Sequence, residues 1–132
     1  MKKFSLSLVT VMVLSLCVAA QKAPKEGSYS GEIMDAACAK AGGHSGMMKQ
    51  MNIKTAKECT EGCVKNGSKY VLYDKAHKKV YQLDDQTKPA QFAGDKVTVK
   101  GTLDASTDTI KVSDIEAAKG ATKAKAGSPS GQ

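Results

Sequence analysis

Five segments alternate apolar and polar residues in the manner of strands. In SYSGEIM (28–34), Tyr29, Gly31 and Ile33 fall on one face. KYVLYD (69–74) and KVYQLD (79–84) are dense in β-branched and aromatic residues, and the short KAHK between them predicts a hairpin. DKVTVKGTL (95–103) alternates most regularly, with Val97, Val99 and Leu103 inward and Thr98, Lys100 and Thr102 outward. Gly101 sits in the inward row, where it predicts a bulge or a sharp bend. DTIKVSDI (108–115) follows a polar turn and is expected to pair with the strand before it.

Helical signals interrupt these strands. In TAKECTEGCVKNG (55–67), Thr55 followed by Glu58 fits a capping box, and Asn66-Gly67 supplies the stop. Gly62 lies inside this helix at a cost of about 1 kcal/mol against Ala, so the helix needs support from elsewhere. SGMMKQM (45–51) predicts a weaker helical turn, and KPAQFAG (88–94) a short helix opened by Pro89 and stopped by Gly94. The order is strand, Cys-rich helical insert, hairpin, short helix, hairpin. It predicts a mainly β fold: a small five-stranded OB-like barrel with the insert between strands 1 and 2. An SH3-like barrel is the rival.

The ends of the chain read differently from its middle. Lys2 and Lys3 precede the apolar run Phe4–Val18, which closes on small residues, as a secretory signal does. The run is too short for an ordinary transmembrane helix, and no other segment predicts a membrane span. Residues 1–20 are therefore expected to be a signal peptide, 21–26 a flexible leader, 27–117 the barrel domain and 118–132 a disordered basic tail. The expected location is periplasmic or secreted. Cys17 could be lipidated only if Leu16 were tolerated before it, where a small residue is preferred.

Charge excludes more than it assigns. The net charge of +7 falls to +5 once Lys2 and Lys3 are removed, and Lys119, Lys123 and Lys125 of the tail hold most of the remaining surplus. All the basic residues are lysines, and Arg supplies the rigid fork favoured for phosphate and guanine. A nucleic-acid partner is disfavoured.

The chemistry gathers between Cys38 and Cys63. Cleavage after Ala20 leaves Cys38, Cys59 and Cys63, an odd number for an oxidising compartment. Cys59 and Cys63 stand one turn apart on one helix face, which suits two ligands of one metal ion better than a disulfide. With Cys38 and His44 the spacing is C-x5-H-x14-C-x3-C, a Cys3His set of the kind that closes a tetrahedral zinc site. Met47, Met48 and Met51 follow His44, with Met34 upstream, and soft thioethers favour copper(I), although a Met stripe at helical spacing also serves as core. Three states fit these residues: a zinc or copper ion, a disulfide from Cys38 to Cys59 or Cys63 with a spare thiol, or buried free thiols. Asp35 could orient His44 from outside the ligand set, but reads first as the polar end of a strand. His77 falls among lysines in a turn and is left out of the site.

The run GEIMDAAC, then His44, then CTEGCVKNGSKYVLYD and KVYQLD, followed by FAGDKVTVKGTL and DTIKVSDI, resembles a group of small exported bacterial domains of unknown function. Its second half is similar to periplasmic OB-fold proteins. The resemblance implies a barrel and a Cys/His site, and no established activity. Two functions follow as expectations. The first is an exported, non-catalytic domain that binds a transition metal through Cys38, His44, Cys59 and Cys63. The other is a disulfide-stabilised OB-like ligand-binding or interaction module without metal, for which Tyr70, Tyr73 and Tyr81 could offer stacking surface, although two of the three read as core. Neither Ser-His-Asp nor paired acids are evident, so catalysis is not expected. Protein partners are not indicated.

Overall fold

A computed structural model describes residues 26–119. The expectations for the signal peptide, for Cys17 and for most of the leader and tail lie outside them. The strands are β1 (Glu26–Asp35), β2 (Tyr70–Asp74), β3 (Lys79–Leu83), β4 (Lys96–Asp104) and β5 (Thr109–Ala117). Three helices, α1 (Ala36–Lys40), α2 (Ser45–Met51) and α3 (Ala56–Lys65), lie between β1 and β2. A 3₁₀ turn (Lys88–Phe92) takes the place of the helix expected at 88–94.

The sheet runs β1-β2-β3-β5-β4 and closes in a ring, because β1 also pairs with β4. One long strand makes both joins. Residues Glu26–Glu32 of β1 run antiparallel to β4, and Glu32–Asp35 run antiparallel to β2. The hairpins β2–β3 and β4–β5 form as their sequences predict. The thinnest join is the parallel contact of β3 with β5, where Gln82 faces Thr109 and Leu83 faces Ile110. The register shift between Lys100 and Gly101 is the bulge anticipated at that glycine. A Cβ on Gly101 would run into the carbonyl oxygen of Lys111, so the close approach requires its bare Cα.

Two cores share the wall formed by β1 and β2. Ile33, Leu72, Val97, Val99 and Ile110 pack in the first, with Tyr70 beside them. Met34, Cys38, Cys59, Val71 and Tyr73 make the second. The alternation of Tyr70, Val71, Leu72 and Tyr73 between the two cores explains why β2 reads as an unbroken apolar run. Of the tyrosines expected to offer stacking surface, Tyr70 and Tyr73 are buried. Only Tyr81 stays partly exposed, against Tyr29 with ring centroids 5.5 Å apart.

Candidate metal centre

The site begins with Asp35. It ends β1 and also caps α1: Oδ1 accepts from the backbone N–H of Ala37 at 3.1 Å and of Cys38 at 3.0 Å. The helix has only five residues, so the cap and the bond from Ala36 N–H to the Lys69 carbonyl (3.0 Å) fix where it starts. Cys38 is thereby held in the second core, 1 % exposed. Cys38 stands on a helix whose start signal is the aspartate.

The other two thiols come from α3. Thr55 Oγ1 accepts from Glu58 N–H at 3.2 Å, the expected cap. Cys59 is fully buried and Cys63, one turn on, is half-buried. The Sγ atoms of Cys38, Cys59 and Cys63 lie within 4.8 Å of one another. Cys38 Sγ and Cys59 Sγ are 3.8 Å apart, almost twice the length of a disulfide bond of about 2.05 Å. All three are free thiols.

His44 arrives by a tight reversal. Gly42 and Gly43 have φ of 82° and 146°, values that favour glycine, and the chain turns back so that His44 opens α2. The imidazole is 7 % exposed and both its nitrogens are engaged. Nε2 lies 2.8 Å from Thr60 Oγ1, and Nδ1 lies 3.2 Å from Glu32 Oε1. This chain of contacts ties β1, the start of α2 and α3 together beside the thiols. His44 could ligate a metal only by giving up one of these partners.

The four residues predicted as ligands thus share one neighbourhood, in two overlapping groups. The cysteines form one; Asp35, Cys38 and His44, again within 4.8 Å, form the other. Cys38 belongs to both. Asp35 is the residue that sequence reasoning undervalued. It is fully buried, and its Oδ2 is the single buried side-chain polar atom without a hydrogen-bond partner among the described residues. Such an oxygen costs stability unless something meets it.

The electrostatics have one sign. Burial pushes the Cys38 thiol far above its ordinary value, and the neighbouring Asp35 carboxylate adds to the rise. Cys63 is raised too, first by burial and then by Asp35 and Cys59. Desolvation and a nearby anion both disfavour thiolate. A cation reverses that balance, since it stabilises the thiolates and the aspartate at once.

Beside the thiols opens a pocket of about 300 Å³, lined by Met47, Met51, Ile53, Cys59, Gly62 and Cys63 among others. The face of α3 at Gly62 is bare: a Cβ there would meet nothing within 4 Å. Met47 and Met51 share a face of α2, as their spacing predicts. Met34 is buried in the second core, and Met47 and Met48 both pack against it. His77 stands apart in the β2–β3 turn, 79 % exposed, with Nδ1 2.6 Å from Asp74 Oδ2. It borders a separate, more open pocket of about 650 Å³ with Tyr29, Lys79 and Tyr81.

Residues 61–118 match a family model described as a protein of unknown function, DUF5818. The match takes in strands β2 to β5 and Cys63, and begins after Cys38, His44 and Cys59. The likeness therefore concerns the sheet more than the thiol group. No curated protein and no solved structure matches the chain. Among the described residues, no helix is long and apolar enough to cross a membrane.

Proposed function

We propose that the chain is an exported, non-catalytic domain that holds one transition-metal ion, zinc or copper. Cys38, Cys59 and Cys63 are its ligands, with His44 or Asp35 as a further donor. The carrying observation is the gathering of three free thiols from two helices, Cys38 and Cys59 lying 21 residues apart in sequence, within 4.8 Å of one another, two of them buried and one half-buried. The partnerless Oδ2 of Asp35 supports it, because a cation would meet an oxygen that the fold leaves unmet. The scaffold is, on this reading, an OB barrel, since strand order 1-2-3-5-4 with closure through β1 and β4 suits that fold. Glu32, His44 and Thr60 resemble a carboxylate–imidazole–hydroxyl triad in outline. Thr60 is fully buried, so its hydroxyl reaches no substrate, and the trio serves to orient α3.

Native mass spectrometry of the mature chain, purified without reductant or added metal, tests the assignment. One bound zinc or copper ion, with three thiols reactive after chelation, is the expected result. Replacing Cys59 by Ser should then lower the affinity sharply; an unchanged affinity refutes the ligand set. A metal-free chain lighter by two protons favours the disulfide reading instead. Cys38 and Cys59, at 3.8 Å, are the pair in contact that oxidation would join. Function would then move to the pocket of Tyr29, Lys79 and Tyr81, where the lack of Arg and Trp argues against nucleic acid.

A further inference from the structure

Four sulfur side chains line the pocket beside α3, and they are of two chemical kinds. Cys59 and Cys63 supply thiols from α3, while Met47 and Met51 supply thioethers from α2. Burial does not account for Met51. It is 57 % exposed, the one large hydrophobic residue so exposed among those described, yet it lines the same pocket as Cys59.

Donor softness separates the candidate ions. Asp35 already places a carboxylate inside this core, and each thiolate added beside it increases the buried negative charge. A thioether donates to a metal without adding charge. Zinc draws its ligands from thiolate, imidazole and carboxylate and gains little from thioethers. Copper(I) is soft and takes thioether as well as thiolate sulfur, so Met47 and Met51 can add donors to it without adding negative charge. The bare Cα of Gly62 keeps the approach to the thiols clear.

We infer that the ion held by the three cysteines is copper(I), reached through this pocket, with Cys59 and Cys63 as the thiolates that face it and Met47 and Met51 as the thioethers through which the ion arrives. The inference rests on the metal-binding reading above and selects one ion and one route for it.

The test uses the reduced, chelated mature protein and copper(I) supplied as its bicinchoninate complex, whose colour is lost as the ion is withdrawn. The variant carries Met47→Leu and Met51→Leu, which keep volume and apolarity. Its copper(I) affinity should fall by about ten-fold or more, while zinc(II) affinity stays within about two-fold of the parent. Copper-edge X-ray absorption of the parent should show sulfur donors beyond those of the variant. A double variant with parental copper affinity and the same sulfur shell overturns the inference and leaves the thiol centre standing. If Cys59→Ser binds both ions as the parent does, the metal reading itself falls and takes this inference with it.

Discussion

Asp35→Asn separates two things that one carboxylate does. Asn keeps an oxygen able to accept from the Ala37 and Cys38 N–H groups, so the cap on α1 survives. The negative charge beside the thiols goes. A carboxylate oxygen of Asp35 lies within 4.8 Å of Cys38 Sγ. At an effective dielectric of about 20, that separation is worth roughly 3 kcal/mol of repulsion between carboxylate and thiolate, or about two pKa units. Ultraviolet absorbance of thiolate in the metal-free, reduced protein should therefore rise at distinctly lower pH in the variant. Asp35→Ala removes the charge and the cap together, so it should show the same titration with about 1 kcal/mol less stability. If Asp35→Asn titrates within about half a unit of the parent, the aspartate charge is not felt at the thiols, and the electrostatic account of the site is wrong.

Alkali should destabilise the metal-free protein. The Cys38 pKa is raised in the folded state above its ordinary 9.0, so its contribution is complete below pH 9 and is lost as the pH climbs further. The expected loss from Cys38 is about 1.4 kcal/mol per pH unit, several degrees of melting temperature, and the overall loss should shrink in a folded Cys38→Ser variant, where the raised Cys63 still contributes. Gly101→Ala should cost about 1–3 kcal/mol in denaturant unfolding, because the new methyl group meets the Lys111 carbonyl. Thr55→Ala should cost about 1 kcal/mol through loss of the bond to Glu58 N–H, a change read by thermal melting of the apo protein.

The strands were legible because their signal is local. Val97 and Val99 point inward by simple alternation, and the bulge at Gly101 announced itself as a glycine in an inward row. The α3 helix carried its own cap and stop. Helix α1 had only the aspartate at its start, and an aspartate after an apolar strand reads equally well as the strand's polar end. The link between His44 and Thr60 spans 16 residues and depends on how α2 packs against α3, which no spacing rule encodes. The placement of Cys59 and Cys63 one turn apart on a single helix was a helix-period argument and carried over directly. The arrival of Cys38 beside them was not, because it needs the sheet to bring the end of β1 against β2.

The strand β2 has a consequence for how the molecule opens. Its residues face two cores in turn, so neither face is available to water while the fold is intact. A helical insert resting on a solvated sheet could fray by itself. Here the release of α1 and α3 would expose Val71 and Tyr73, and the ring would lose the cover on one side of its wall. Insert and ring should thus behave as a single foldon, with amide exchange at Val71 and in α3 proceeding through the same opening. An ion bound to the thiols would slow exchange in the strand as well as in the helices, and occupancy of the site would be readable from amides that touch no sulfur.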